Sequence, residues 1–241
     1  MKVALYPAFE EVFNNNALKG IFYPLCEVSD VSASLSDPLF FVSSNGIWTD
    51  GQIENDNNAS DFTRFQLDNG RYTFKGDINV YVGYKNAQQV FKYLETDFRQ
   101  NGEEYLSKKI TTNAYIQSIL ANYKPNFGAL DTNYFLQTFY EFSINKLIYH
   151  KTGKFGAFNQ IINNWGEADE SPIVYEIKDD HASGYADIAV NSAYLFPQTL
   201  EIEKYEKVGF VVGAEFFTDG NDTYLLYDQF DQRAICINHY S

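Results

Sequence analysis

The sequence predicts an α+β protein: an antiparallel-rich sheet, or sheets, with two to three central amphipathic helices. Three observations predict it. Several apolar stretches before residue 86 alternate with period two. Apolar residues then recur at helical spacing as far as residue 152. Beyond Gly153 and Gly156 the chain returns to short runs rich in β-branched and aromatic residues. Strands, then helices, then strands is the order of an α+β fold, in which helices are segregated from the sheet.

Residues 1–50 mix short apolar runs with turn residues. From Asp37, DPLFFVSSNGIW reads as a strand, an Asn45-Gly46 turn and a second strand. GQIENDNNASD, residues 51–61, reads as a polar surface loop. FTRFQLDNGRYTF places Phe62, Phe65 and Leu67 before the Asp68-Asn69-Gly70 turn, then Tyr72 and Phe74; DINVYVGY alternates Ile78, Val80 and Val82. Both read as half-buried strands of a meander.

The helices follow. NAQQVFKYLETDF carries Val90, Phe91, Leu94 and Phe98 on one face. EEYLSKKITTNAYIQSILANYK carries Leu106, Ile110, Tyr115, Ile119 and Tyr123, and LDTNYFLQTFYEFSINKLIYHK carries Phe135, Phe139, Phe142 and Leu147. Pro125 and Gly128 divide the last two, and Asp131 is the expected N-cap. Gly153 is expected to end the third helix in a left-handed conformation. Then PIVYEI, SAYLF, KVGFVVGAEFF, TYLLYD and RAICINHY read as strands, with Asp219-Gly220-Asn221-Asp222 as a turn. No linker or internal repeat stands out. The reading is a single α+β domain over 1–241, or else two halves, a strand-rich 1–85 and then 86–241 with helices followed by strands.

Composition narrows the function. Of 241 residues 45% are hydrophobic and 17% aromatic, including 21 Phe and 19 Tyr. That supports a large core. The net charge of −14 repels phosphates, which argues against nucleic acid and anionic membrane as partners. The charge is uneven: −5 over residues 1–85, +2 over 86–164 and −11 over 165–241. The N-terminal MKVALYPAFEEVF has no long apolar run, so neither a signal peptide nor a membrane span is expected. A cytoplasmic protein with two reduced thiols, Cys26 and Cys236, is the resulting expectation.

No phosphate-binding loop, dinucleotide fingerprint, HExxH or GxSxG is present. Two cysteines without CxxC spacing give no zinc site, and no cofactor or metal is expected. Cys236 alternates with Ile235 and Ile237 and reads as a buried small hydrophobe; Cys26 lies beside Glu27, which weakens a nucleophile. His150, His181 and His239 lie in separate elements. The densest charged stretch is YEIKDDHASGYADIAV. It reads as a strand end over 174–177, a solvated turn over 178–184 and the start of the next element at Tyr185. An enzymatic alternative would use His181 with Asp187 as an acid/base pair. Otherwise Asp179 and Asp180 join Glu215, Asp219, Asp222, Tyr224 and Asp228 in an acidic, tyrosine-bearing binding surface. Neither Asp179-Asp180 nor residues 50–61 has EF-hand spacing for calcium.

One resemblance is carried by HKTGKFGAFNQ, PIVYEIKDDH, YADIAVNSAYLF and LEIEKYEKVGFVV, in that order. It resembles the C-terminal half of the YwqG-like family. The matching residues are His150, Gly153, Gly156 and Gln160, then Ile177, Asp179 and Asp180, then Tyr185-Ala186-Asp187 and Tyr194-Leu195-Phe196. The family's paired glycines and its proline are not reproduced, and its Trp-Gly-Asp is Tyr-Ala-Asp here. The stretch VGAEFFTDGNDTYLLYD is similar also to the Smi-type immunity superfamily. These resemblances imply an intracellular α+β protein with no established catalytic set, associated with toxin–immunity gene neighbourhoods. Together with the charge they give the leading expectation: a non-enzymatic, immunity-type protein that neutralises a basic protein partner through an acidic surface. The alternatives are a hydrolase-like enzyme around His181 and a structural or phage-derived oligomer component.

Overall fold

The computed structural model describes residues 1–32, 35–156, 172–177 and 200–239. The fold is α+β, with two antiparallel sheets and three long helices. β1 (Lys2–Leu5), β2 (Tyr23–Ser29) and β3 (Leu39–Ser43) form a three-stranded sheet in that order. β4 (Phe62–Asp68), β5 (Arg71–Phe74), β6 (Glu206–Val211), β7 (Asp222–Asp228) and β8 (Arg233–His239) form a five-stranded sheet in the order β5-β4-β8-β7-β6. The last third of the chain thus returns to pair β8 with β4, Phe62 opposite Ile237.

The helical segment lies between these strands in sequence. α1 (Phe9–Val12) is one turn; α2 (Tyr84–Ser107), α3 (Thr112–Asn122) and α4 (Thr132–Thr152) are long. α4 packs on both α2 and α3. Asp131 caps α4 as expected, accepting the Tyr134 N–H at 3.0 Å. Gly153 ends it at φ 69°, a left-handed value glycine adopts without strain.

The small sheet packs on the large one through β3. The Tyr72 hydroxyl accepts the Phe40 N–H at 2.8 Å and donates to the Phe40 carbonyl at 3.1 Å. One principal core runs through both sheets and all three long helices, from Leu5 to Cys236. A second cluster covers the other face of the large sheet, with Phe62, Phe210, Tyr224, Leu226, Ile235 and Ile237. Both faces of β7 and β8 are therefore buried. Leu225 and Tyr227 face one core, Tyr224 and Leu226 the other. That is why TYLLYD reads as a continuous apolar run.

Four expectations differ from the structure. DINVYVGY forms no strand: Asp77 accepts the Asn79 N–H at 2.9 Å and caps a short 3-10 helix, Ile78–Val80. Only Tyr81 makes a bridge, to Thr49. The first two expected helices are divided elsewhere, because α2 runs through Gly102 to Ser107. The break falls at Lys109, φ 51°, and Thr111 then caps α3 by accepting the Ala114 N–H. After Asn45-Gly46 no second strand follows. Asn45 is buried instead, donating to Thr138 and accepting from Tyr134 on α4. The expected strand PIVYEI contributes one bridge among its described residues, Tyr175 with Phe210 on the edge strand β6. SAYLF lies outside the described residues.

Candidate functional site

Among the described residues, Asp222, Tyr224 and Asp228 of the expected binding set do not share one surface. β7 separates them: Asp222 opens the strand and Asp228 closes it, about 20 Å apart at roughly 3.3 Å per residue. Tyr224, midway, is 3% exposed and stacks on Phe210 at 4.9 Å between centroids. Burial pushes its phenol up to about 12. Its ring belongs to the core, which corrects the expectation of a surface tyrosine there. Asp228 folds its own turn, accepting the N–H groups of Phe230 at 3.0 Å and Asp231 at 3.2 Å. Asp179, Asp180, His181 and Asp187 lie outside the described residues, as does Gln160 of the family resemblance.

Glu215, Asp219 and Asp222 all belong to the β6–β7 connection, but Glu215 turns a carboxylate oxygen inward and its charge acts on the buried Tyr6 phenol. Side chains of α4 hold this connection. The buried Glu141 accepts from the Thr218 N–H at 2.7 Å, the Thr218 hydroxyl at 2.8 Å and the Thr112 hydroxyl at 3.2 Å. Burial raises its pKa, with the charge of Asp219 adding to the shift. Asn145 donates to the Phe216 carbonyl at 2.9 Å. Across the connection, Asp222 accepts the Gly213 N–H at 2.9 Å; burial raises its pKa as well.

These acids meet others from the first third of the chain. Asn238, at the end of β8, accepts no new strand; its N–H donates to the Asp61 carbonyl and its amide to the Ser44 hydroxyl. From there residues 44–50 run to the start of α4, where the Trp48 ring lies tilted against Tyr134, 5.1 Å between centroids. Gln137, one turn on, donates to Asp219 at 2.9 Å. Trp48 is 46% exposed; Asp131 caps the helix that carries its neighbour Tyr134, Asp219 is hydrogen-bonded to Gln137 of that helix, and Asp50 follows two residues on, while Asp61 and Asp222 lie at one end of the large sheet, bonded to Asn238 through the Asp61 carbonyl and opposite His239. Glu54 and Asp56 extend the set along an exposed loop. That loop is packed by its own amides: Asn58 is buried, donates to the Asp77 carbonyl and accepts the Asp77 N–H. The side-chain oxygen of Asn58 is thus engaged inward rather than offered to a cation. Trp48 and the loop acids were missed as a site in sequence. An exposed Trp following an Asn-Gly turn, with acids downstream, was the available signal.

A second feature has the opposite charge. A cavity of about 370 Å³ lies between α1, the start of β2, α2 and α4. Phe91, Glu95, Phe98 and Arg99 of α2 face it at successive turns, as do Phe139, Phe142, Ser143, Lys146, Leu147 and His150 of α4. Lys19 at its rim is paired with Glu10 at 2.8 Å and Glu95 at 3.0 Å.

Cys26 and Cys236 are buried free thiols, and burial raises both pKa values, that of Cys236 to about 12. Desolvation, rather than neighbouring Glu27, is the leading cause at Cys26. Among the described residues no group of three or more His, Cys, Asp or Glu could hold a metal ion. None of the described helices is long and apolar enough to cross a membrane.

No family model, curated protein or solved structure matches the chain. The class the geometry defines is an α+β protein with a tryptophan-centred acidic face and a separate cationic, aromatic cavity.

Proposed function

We propose that the protein is a non-enzymatic binding protein of immunity type, acting in the cytoplasm by covering a basic protein partner with the acidic face around Trp48. The observation that carries this reading is Trp48 itself. A large ring left 46% exposed, packed at a tilt against Tyr134 near the Asp131 cap, is an anchor of the kind that dominates protein interfaces. The carboxylates would steer a basic partner and set its orientation. The face is preorganised: Asn45 is fixed by Tyr134 and Thr138, and the Asp219 segment by Glu141 and Asn145. Preorganisation lowers the ordering cost of binding.

The test is affinity capture with the full chain from a lysate of its own organism, run beside Trp48→Ala and Glu54→Lys/Asp56→Lys/Asp219→Lys. The expected result is retention of a basic protein by the wild type, reduced by each variant while melting temperatures stay within a few degrees. Retention of the same protein by all three, or of no basic protein by the wild type, contradicts the reading. Recovery of only the chain itself would favour the oligomer alternative instead.

A further inference from the structure

We propose that the cavity between α2 and α4 is a binding site for a small organic carboxylate with an apolar body. This goes beyond the protein-binding role and does not depend on it, since the cavity and the Trp48 face share no lining residue. Three observations carry the inference.

The first is size and lining. About 370 Å³ falls within the range of small-ligand pockets. Phe22, Tyr23, Phe91, Phe98, Phe139 and Phe142 supply its apolar wall. Phe22, Tyr23 and Phe139 are buried while Phe91, Phe98 and Phe142 keep partial exposure, so the rings form a floor with an open side.

The second is the state of Lys146. Lys146 lines the cavity, half-buried, and its ammonium carries three donor protons. It donates to the Pro7 carbonyl at a long 3.4 Å. No carboxylate comes within ion-pair distance of it among the described residues, although Glu10 and Glu11 lie close enough to act on its charge. Burial lowers its pKa, and Lys19 adds to that effect. A desolvated lysine with donors to spare gains most from an incoming anion.

The third is charge. Lys19, Arg99 and Lys146 line the cavity against Glu10 and Glu95, with His150 at the same wall. The two acids are both spent on Lys19. Among the lining residues three cations thus meet two carboxylates over an aromatic floor, with Glu11 acting on Lys146 from outside the lining. A neutral apolar ligand would leave Lys146 unsatisfied, and a cation would be repelled. An anion with an apolar body satisfies both parts.

Isothermal titration of the full chain with decanoate, decanol and decyltrimethylammonium, each kept monomeric, tests this. One charge-assisted contact in a partly desolvated site is expected to favour decanoate over decanol about tenfold. Lys146→Met should remove that preference while leaving decanol binding in place. Ser143→Trp, which fills the cavity from the α4 side, should abolish binding of both with the fold retained by circular dichroism. The proposal is overturned if decanoate binds no more tightly than decanol, if Lys146→Met keeps the preference, or if Ser143→Trp still binds.

Discussion

Glu141 shows how one residue can hold a surface it does not belong to. Its carboxylate accepts three hydrogen bonds and ties α4 to Thr112 and to the connection that carries Asp219. Removing it in Glu141→Ala strands those donors and should cost about 3 kcal/mol, read by urea denaturation. Glu141→Gln should cost less, because an amide can still accept from the Thr218 N–H and donate to the hydroxyls. The pH dependence has a definite sign. The folded pKa is raised, so the native state binds the proton more tightly than the unfolded chain. Stability should fall as pH rises from the ordinary carboxylate range through the raised folded value, then level off. Asp61 and Asp222, both raised by burial, slope the same way. Glu141→Gln should therefore flatten part of the curve; an unchanged curve would exclude Glu141 as its source. Some residues were readable in the sequence: the Asp131 cap, the Gly153 terminus and the buried Cys236 follow from local chemistry. Glu141, Lys146 and the burial of Tyr224 were not, because each depends on which element covers that side of the helix or sheet.

At the scale of elements, the β6–β7 connection repays closer reading. Asp219-Gly220-Asn221-Asp222 looks like a turn chosen for backbone freedom. Its glycine answers a tighter constraint. A Cβ on Gly220 would sit 2.2 Å from the Gly213 carbonyl oxygen, and one on Gly213 would sit 2.3 Å from that of Asn221. Two backbone strands touch there, so Gly220→Ala should destabilise by about 2 kcal/mol. The same variant should weaken any property of the acidic face, since the contact positions Asp219 and Asp222. Thr111→Ala, which removes only the α3 cap, should cost about 1 kcal/mol and leave that face intact. Thermal melts of the two variants beside the capture experiment separate these effects. Strands β4, β5, β7 and β8 were legible because alternation or apolar runs end at recognisable turns. The 3-10 helix Ile78–Val80 was misread as a strand because three β-branched residues alternate over a segment that the Asp77 cap and the bridge of Tyr81 to Thr49 shape instead.

For the whole molecule, charge in sequence and charge in space differ. The −11 of residues 165–241 suggested a surface built from the last third. Among the described residues, Asp219 meets the first turns of α4 that Asp131 caps, Asp222 and Asp61 lie at one end of the large sheet, and Asp228 lies at the far end of β7. Of the basic residues in 86–164, Arg99 and Lys146 line the cavity wall that α2 and α4 share. No sequence reading could have paired β4 with β8 from local pattern, and that pairing is what brings the acids of the first and last thirds together. The central claim is that Trp48 and its acidic surroundings form the partner-binding face. The affinity of the captured basic partner, measured between low and physiological salt for the wild type and Trp48→Ala, tests it most directly. The account predicts an affinity that weakens steadily with salt and a loss of about tenfold or more in Trp48→Ala; affinity indifferent to both salt and Trp48 would contradict it.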